Sequence, residues 1–516
     1  MSERGVVNIK AVSKGSKNLF VFGFILILLA MGTMLFQDRA WFLAIFFYVS
    51  AALIFYTYSI SKSTPAKYLL PGVLLLTLFH IYPAFYSGAV AFTNDSNGHQ
   101  LSKEQAIAAI VQDTKIPIAT EEPIKYQTLV EVGSKKVFVL FKYESEIFWL
   151  TDGKTVKSVA PDPRSILVDG TVVKLGGFTV LSPEESQAQI AVLQNFVINL
   201  ESGISLQPQD LESLEVSQPA FRYNKAKDEL VSNLSGEIYA PNDNGQMVSK
   251  TGEVLYPGWK ANVGWRNFSS IITDKEIRRP LLAVLVWTFA NALLLVFISF
   301  LMGLVLALIF NFPALRSKRF YRTIFIIPMA IPSVLSLLVW SGLFTAETGV
   351  IDRMFHISIP WLTHPWWARV AVLIVELWIT FPYMFLITTG AIQAIPGEIL
   401  EAAAIDGASP LKSFTQIKLP LVVRTVAPLL VASVAMALNN FGAIYLLTGG
   451  GPTFSNSNGN AGATDILISY TYKLAFNSQE GNNYGLASAL SILNFLIVGL
   501  ISIYGLKKMK TMEGMN

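Results

Sequence analysis

The chain has 516 residues, of which 52% are hydrophobic and only 14% charged, and its mean hydropathy of +0.48 is too apolar for a soluble protein and points to several membrane spans. A net charge of +4 leaves no basic or acidic bulk for nucleic acid. Cysteine is absent, which excludes a thiolate metal site, a catalytic thiol and a disulfide framework, and four histidines argue against a His-rich metal centre.

Residues 1–18 read as a polar tail carrying Arg4, Lys10, Lys14 and Lys17. The run Leu19–Phe36, about 18 residues, is long enough to cross a bilayer. It is longer than a usual signal-peptide core, lacks a convincing small-residue cleavage site and precedes further spans, so it is expected to stay as an anchor. Ala40–Ile60 and Tyr68–Phe92 are the second and third spans. His80, inside the third, reads as a satisfied bundle residue rather than a ligand.

Residues 94–277 change character. Ser102–Gln112 has a helical pattern; Val137–Leu140, Ile147–Leu150 and Thr171–Val173 have strand patterns, with turns at Asp152-Gly153 and Asp169-Gly170. The segment is domain-sized, and its aromatic and β-branched runs argue against disorder. A β-rich domain inserted between spans is the expectation.

Leu281–Phe310 is the fourth span, long enough to tilt or to extend beyond the lipid. The basic run Arg316-Ser317-Lys318-Arg319 follows. Phe320–Phe344 is the fifth span, broken by Pro328 and Pro332. Trp366–Gln393 is the sixth, opened by an interfacial Trp pair and containing Glu376 and Pro382. Val426–Leu447 is the seventh, with Asn439-Asn440 inside it. A Gly/Asn/Ser loop, Thr448–Gly462, leads to an interfacial helix at Asp465–Phe476. Tyr484–Leu506 is the eighth span, followed by Lys507, Lys508 and Lys510.

The expected fold is therefore an all-α polytopic membrane protein of eight transmembrane helices, with a β-rich extracytoplasmic domain between helices three and four. Residues 1–93 hold the tail and helices one to three, 94–277 the inserted domain, and 278–516 the core with helices four to eight. The positive charges of the N-terminal tail, Lys62 and Lys67, Arg316–Arg322 and the C-terminus share one side by parity, and that side is expected to be cytoplasmic. Both termini and the 395–422 loop then lie inside, and 94–277 outside.

That loop has a pattern of its own. Pro396 suits the first turn of a short helix, and Glu398 and Glu401 sit near its positive end. Ile399, Leu400, Ala403 and Ala404 make an apolar side. Gly407 suits a left-handed helix stop, and Ser409-Pro410 an N-cap opening a second helix. Helix, turn and helix form a knob able to fill another protein's cleft. An amphipathic connector is the plain alternative, and a bare Glu-Ala-Ala would favour it. The whole spacing, Glu401-Ala402-Ala403 to Gly407 to Ile417-Lys418-Leu419-Pro420, resembles the EAA loop of the permease subunits of ATP-binding-cassette (ABC) importers. In that family the loop docks on the ATP-hydrolysing subunit.

Gly264-Trp265-Arg266-Asn267-Phe268, the run Leu447–Pro452, Thr464-Asp465 and Tyr470-Thr471-Tyr472 also resemble the sugar-importer branch. Eight spans with a large insertion after the third resemble the MalF-type subunits of maltose/maltodextrin importers. The resemblance implies a bacterial inner-membrane location, with 94–277 periplasmic. It implies a MalG-like second permease, a dimer of MalK-like ATPase subunits and a periplasmic sugar-binding protein as partners. The chain lacks a G-x-x-x-x-G-K-[ST] loop, so it is expected to be a non-catalytic subunit, with ATP and Mg on the partner ATPase. Glu401 is expected to offer that partner a charge-assisted hydrogen bond.

Spans five to seven carry prolines and the polar candidates Ser333, Thr380, Tyr383, Ser433, Asn439 and Asn440. Matching the MalF-type pattern puts Ser333, Tyr383, Ser433 and Asn440 on sugar-contacting positions. The chain departs at Met329 and Met436, where Tyr and Phe are expected, at Ala437 for Asn, and at Thr380 for Gly. These departures bear on which oligosaccharide is carried. Taken singly, each polar residue is better explained by helix–helix hydrogen bonding; as a matched set they read as a pocket. Glu376 is an acid inside a span, which is costly and usually functional. It is either a proton relay, as in a proton-coupled carrier, or a group pairing within the bundle or lining its polar cavity. A membrane-anchored sensor is a further class. Neither the carrier nor the sensor explains the knob.

Overall fold

The computed structural model describes residues 9–118, 123–134, 136–143, 147–162, 166, 171–193, 196–200, 204–312, 317–345, 349–455, 457, 460–476 and 481–513. Arg4, Arg316 and the Asp169-Gly170 turn lie outside these residues. Among the described residues, seven helices are long and apolar enough to cross a membrane, or eight if one sharply bent pair is a single span.

The first helices are α1 (Ile9–Gln37), α2 (Trp41–Phe55, continued by a π turn over Tyr56–Ile60), α3 (Thr64–Leu76, continued by a π turn over Thr77–Ile81) and α4 (Tyr82–Val90). Apolar runs make α1 and α2, and the two pack along each other, burying Ile25, Leu28, Phe47 and Ala51. Ser63 caps α3 by accepting from the Ala66 amide, with Pro65 in the first turn where no N–H is needed.

The chain then leaves the helical bundle. Helix α5 (Lys103–Asp113) is opened by a capping box between Ser102 and Gln105. Strands β1 (Lys115–Pro117), β2 (Ile124–Glu131), β3 (Val137–Lys142), β4 (Phe148–Thr151), β5 (Val156–Val159) and β6 (Phe178–Val180) follow. After short helices α6 (Pro183–Gln187) and α7 (Ile190–Leu193) come β7 (Ile198–Asn199), β8 (Ser205–Pro208) and β9 (Ser213–Pro219). All pair antiparallel in one sheet ordered β5-β4-β3-β2-β9-β8-β7, with β1 added to β9 and β6 to β2. A second antiparallel sheet runs in sequence order through β10 (Phe221–Asn224), β11 (Glu229–Ser232), β12 (Ile238–Pro241), β13 (Met247–Ser249) and β14 (Val254–Leu255).

Two-residue alternation explains how the first sheet is covered on both faces. Val137, Val139 and Phe141 face a cluster with Leu193, Leu206, Leu214 and Val216. Leu140, between them, faces Leu129, Phe148, Leu150 and Val172. The Asp152-Gly153 turn joins β4 to β5, and Asp152 accepts from the amides of Lys154 and Thr155. Those bonds, that from Thr155 first, hold the Asp152 carboxyl below its ordinary value. The second sheet packs Leu230, Tyr239, Met247 and Leu255 against Ala106, Ile107 and Ile110 of α5.

One expected strand is absent. Among the described residues Thr171–Val173 makes a single bridge, from Val172 to Ile166, and belongs to no strand. The Gln127 side chain takes the place of a ladder neighbour: its Oε1 accepts from the Val172 amide at 2.8 Å and its Nε2 donates to the Val172 carbonyl at 3.2 Å.

Two asparagines fasten the base of the β-rich region to the helices. Asn94 donates to the carbonyls of Asn244 and Trp259 and accepts from the Ala261 amide. Asn267 in α8 (Arg266–Thr273) donates at 2.8 Å to the carbonyls of Ala91 and Thr93, just past the end of α4, where helical carbonyls lack partners.

The remaining helices are α9 (Lys275–Asn311), α10 (Lys318–Ala330), α11 (Ser333–Leu343), α12 (Val350–Phe355), α13 (Pro365–Gln393), α14 (Gly397–Ile405), α15 (Pro410–Ser413), α16 (Leu419–Leu438), α17 (Phe441–Leu447), α18 (Leu467–Phe476) and α19 (Tyr484–Glu513). The expected fifth span is a pair of helices bent by 89° at Ile331-Pro332. Proline lacks the N–H to continue a helix and disfavours helical backbone in the residue before it. The expected seventh span is also redrawn. A helix runs unbroken over Pro410–Leu438 through a π turn at Phe414–Lys418, and stops before Asn439-Asn440. Val422 and Val426, one turn apart, are both buried against Leu304 and Ala391, which carries this helix past the charged Arg424.

Helix α18, the expected interfacial helix, packs Leu467, Tyr470 and Leu474 against α9 and α19. The loop before it is tied to the bundle. Trp287 Nε1 donates to the Thr464 carbonyl, Arg369 Nε to the Ala463 carbonyl, and the Leu467 amide to Thr288 Oγ1. Asp465, 0% exposed, accepts from Lys473 Nζ, Ser469 Oγ and the Gly462 amide, all within 2.8 Å. Gly450 lies so close that a Cβ there would stand 1.9 Å from Asp465 Oδ1.

Two tests follow from this packing. Expressed alone, residues 94–277 should be soluble, give a β-rich circular dichroism spectrum and melt cooperatively; Leu230→Ala, at a fully buried site, should cost the fragment about 2–5 kcal/mol in denaturant unfolding. A coil spectrum without cooperative melting would remove the independent domain. Gly450→Ala should displace Asp465 and destabilise the purified protein by about 1–3 kcal/mol, read as a lowered melting temperature. An unchanged melting temperature would show that the loop lock is not structural.

Candidate functional sites

The knob at 395–422 is built by local rules. Pro396 is the N-cap of α14 rather than a first-turn residue, because its ψ of 134° is extended and helical geometry begins at Gly397. Gly407 takes φ +76°. The Gly407 amide donates to the Ala404 carbonyl and the Ala408 amide to the Ala403 carbonyl, the paired bonds of a Schellman stop. Ser409 Oγ then accepts from the Lys412 amide and opens α15.

The knob presents one set of residues and seats itself with another. Glu401, Ala402 and Gly407 are exposed. So are Ile405 and Leu411, at 87% and 72%, on either side of Gly407. Ala403 is buried, while half-buried Leu419 packs with Phe414 against Leu304, Ala391, Val422 and Val426. Ile417 is half-buried and Pro420 exposed in the first turn of α16. The apolar pair Ile405 and Leu411 was not singled out from the sequence. The signal was there: two large aliphatic residues bracketing a helix stop.

A second site lies where α16 ends. Asn440, at the break between α16 and α17, donates from Nδ2 to Glu376 Oε1 at 2.8 Å. Asn291 of α9 donates from Nδ2 to Glu376 Oε2 at 2.9 Å. Thr380 Oγ1 donates to the Glu376 carbonyl. Glu376, Thr380 and Tyr383 are spaced four and three apart, so they lie along one stripe of α13. Tyr383 is half-buried against Met384, Ala437 and Leu438. Asn439 is held on its other side: its Oδ1 accepts from Asn494 Nδ2 of α19 at 2.8 Å.

Of the four residues expected to touch sugar, Tyr383 and Asn440 therefore share this neighbourhood. Ser433 Oγ donates to the Leu429 carbonyl in its own helix, and Ser333 is exposed at the start of α11. Among the described residues no hydrogen bond joins Ser333 or Ser433 to the other two. Met329 and Met436 are 54% and 76% exposed, whereas Ala437 is 6% exposed and belongs to the packed interior. Asn291 escaped the sequence reading, although an amide in the apolar run of α9 is itself a signal.

Comparisons with known proteins bear on the chain as a whole. A family model described as a binding-protein-dependent transport system inner membrane component matches residues 299–509. A second, the N-terminal of the TM subunit in PBP-dependent ABC transporters, matches residues 74–145. The maltose/maltodextrin transport system permease protein MalF of Escherichia coli (strain K12) is 33% identical over 480 residues, 88% of each chain. MalF of Yersinia pestis is 31% identical over 514 residues, 96% of this chain and 92% of that protein. A solved bacterial ABC transporter involved in import of the acidic polysaccharide alginate aligns over 48% of this chain and 84% of its own, with 24% identity and a TM-score of 0.42. Identity above 30% over 88% and 96% of the chain and both family matches lead to one conclusion: the chain belongs to the MalF family of membrane permease subunits in binding-protein-dependent ABC transporters.

Proposed function

We propose that this chain is the larger permease subunit of an ATP-driven importer of maltodextrin-type oligosaccharides. The observation that carries the cargo reading is the Asn440–Glu376 bond at an interrupted helix, with Thr380 and Tyr383 on the same stripe of α13. A neutral sugar needs hydroxyl partners and a ring surface, and hydroxyl, phenol and amide supply both. Interrupted membrane helices are where secondary transporters bind cargo, and the same backbone logic applies to a permease. Ser333 and Ser433 complete the path in this reading. Met329 and Met436 favour a second cargo within the same class, another disaccharide or oligosaccharide, because flexible thioethers accept shapes that two rigid rings would not. Membership of an ABC family removes the ground for a proton-coupled carrier.

In this reading the chain has eight spans, counting the bent α10–α11 pair as one. Residues 94–277 form a periplasmic domain contacted by a sugar-binding protein, and 278–516 form the permease core. The 395–422 knob and both termini face the cytoplasm. A MalG-like permease completes the path, and a MalK-like ATPase pair carries ATP and Mg. The exposed Ile405 and Leu411 support a docking role for the knob, since a solvated connector has no use for two bare aliphatic side chains at its tip. Glu401, exposed beside them, is free to meet a basic group on the ATPase.

Two experiments test the reading. Proline cannot take the φ of +76° found at Gly407. Gly407→Pro should therefore abolish co-purification with the ATPase while leaving membrane insertion intact, and Glu401→Ala should weaken coupling less. Wild-type assembly and transport in both variants would reduce the knob to a connector. Tyr383→Ala and Asn440→Ala should each weaken maltodextrin transport about fivefold to hundredfold, the effect of leaving a buried polar partner unpaired. ATP hydrolysis by the assembled complex should survive. Normal transport by both variants would put the sugar path elsewhere.

A further inference from the structure

We propose that Glu376 is a positioning residue for cargo: it fixes the amide of Asn440 at the α16–α17 break, so that Asn440 turns its carbonyl oxygen to the transport path. The inference rests on the cargo reading of Asn440 given above.

Glu376 is 1% exposed, and each of its oxygens accepts from a different helix region, Asn291 Nδ2 at 2.9 Å and Asn440 Nδ2 at 2.8 Å. Among the described residues no Lys, Arg or His pairs with it. Asn291 is also 1% exposed, and its Oδ1 has no hydrogen-bond partner among the described residues. An acid, an amide and an unsatisfied acceptor buried together are a poor way to hold helices, since apolar side chains of like volume are commonly as stable or more so. Such a group in a bundle reads as functional.

The geometry states what that function is. Asn440 sits at φ −78°, ψ 63°, outside helical geometry. Asn439 beside it is fastened to α19 through Asn494 and to its own helix through the Ala435 carbonyl. The break is thus clamped on two sides, to α19 by Asn439 and to α13 by Asn440. An amide has a donor end and an acceptor end. Only the NH2 end can face a carboxylate, so Glu376 decides which way Asn440 is turned. One N–H is taken; the other N–H and Oδ1 remain on the exposed side of Asn440 for sugar hydroxyls. Glutamine at 376 would keep the size but bring its own NH2 against one of the two asparagine NH2 groups. One asparagine must then flip or lose its bond.

The test uses the full complex in liposomes with its binding protein, and radiolabelled maltotriose as the probe. Glu376→Gln should raise the KM of transport about fivefold to hundredfold, with complex assembly normal and the maximal rate changed far less. Glu376→Gln combined with Asn440→Asp reverses donor and acceptor, reforms the bond and leaves an oxygen facing the path. It should return KM toward wild type, whereas Asn440→Asp alone, with two carboxyl groups facing each other, should be worse than either. A group that only holds helices together would lower assembly or melting temperature and leave KM unmoved, and that result overturns the proposal. Where Glu376→Gln fails to assemble, the exchanged pair decides: recovered KM supports positioning, and assembly without recovered KM refutes it. Asn440→Ala separates the two readings. If it leaves KM unchanged, the cargo reading itself fails; if it raises KM while Glu376→Gln does not, only the positioning role fails.

Discussion

Hydrocarbon offers no hydrogen bonds, so every helix that stops inside a bilayer must find partners for its free backbone within the protein. This chain stops its helices between α16 and α17, at the end of α17 and again before α18, and each of these interruptions is met by particular side chains. The Ser341 hydroxyl donates to the Leu447 carbonyl at the end of α17. Trp287 and Arg369 take the carbonyls of Thr464 and Ala463, and Thr288 receives the Leu467 amide. Asn439 and Asn440 tie the remaining break to α19 and α13. Among the described residues, these polar side chains stand where an interrupted helix leaves groups that need partners.

Much of this could be read from the chain. Long apolar runs mark spans because they can be stable nowhere else, and α1, α2, α9, α13 and α19 lie close to where those runs lie. Gly407 and Ser409 carry their geometry with them, since a left-handed stop and an N-cap each depend on a single residue. Pro332 likewise marks its own bend. The neighbourhood of Tyr383 and Asn440 was in reach through family pattern, although the bond that orders it was not.

What escaped depends on contacts between distant residues. Helix α16 begins well before its apolar run, because the valine stripe at 422 and 426 meets α9 and α13 and so outweighs Arg424. Val172 looked like a strand residue, and its backbone is paired, but by the side chain of Gln127 rather than by a ladder. Lys473 and Asp465 are paired at 2.7 Å in the interior, a contact that neither residue's neighbours in the chain announce. Asn291 and Glu376 are 85 residues apart, and nothing in either helix alone announces the pair. Local signals name the breaks; only the packed molecule names what holds them.

The helix from Pro410 to Leu438 has a mechanical consequence. Its 29 residues make a rod about 44 Å long, with the knob at its foot and Asn439 just past its head. Pivoting such a rod by about 10° about its foot sweeps the head through roughly 8 Å, more than one full helical turn of about 5.4 Å. The Glu376–Asn440 and Asn494–Asn439 bonds sit at the end of greatest travel, where leverage on them is largest. A small tilt at the tip between Ile405 and Leu411 would thereby be geared up into breaking or making them. The π turn at Phe414–Lys418, close to the fulcrum, is the place where such a lever would bend first.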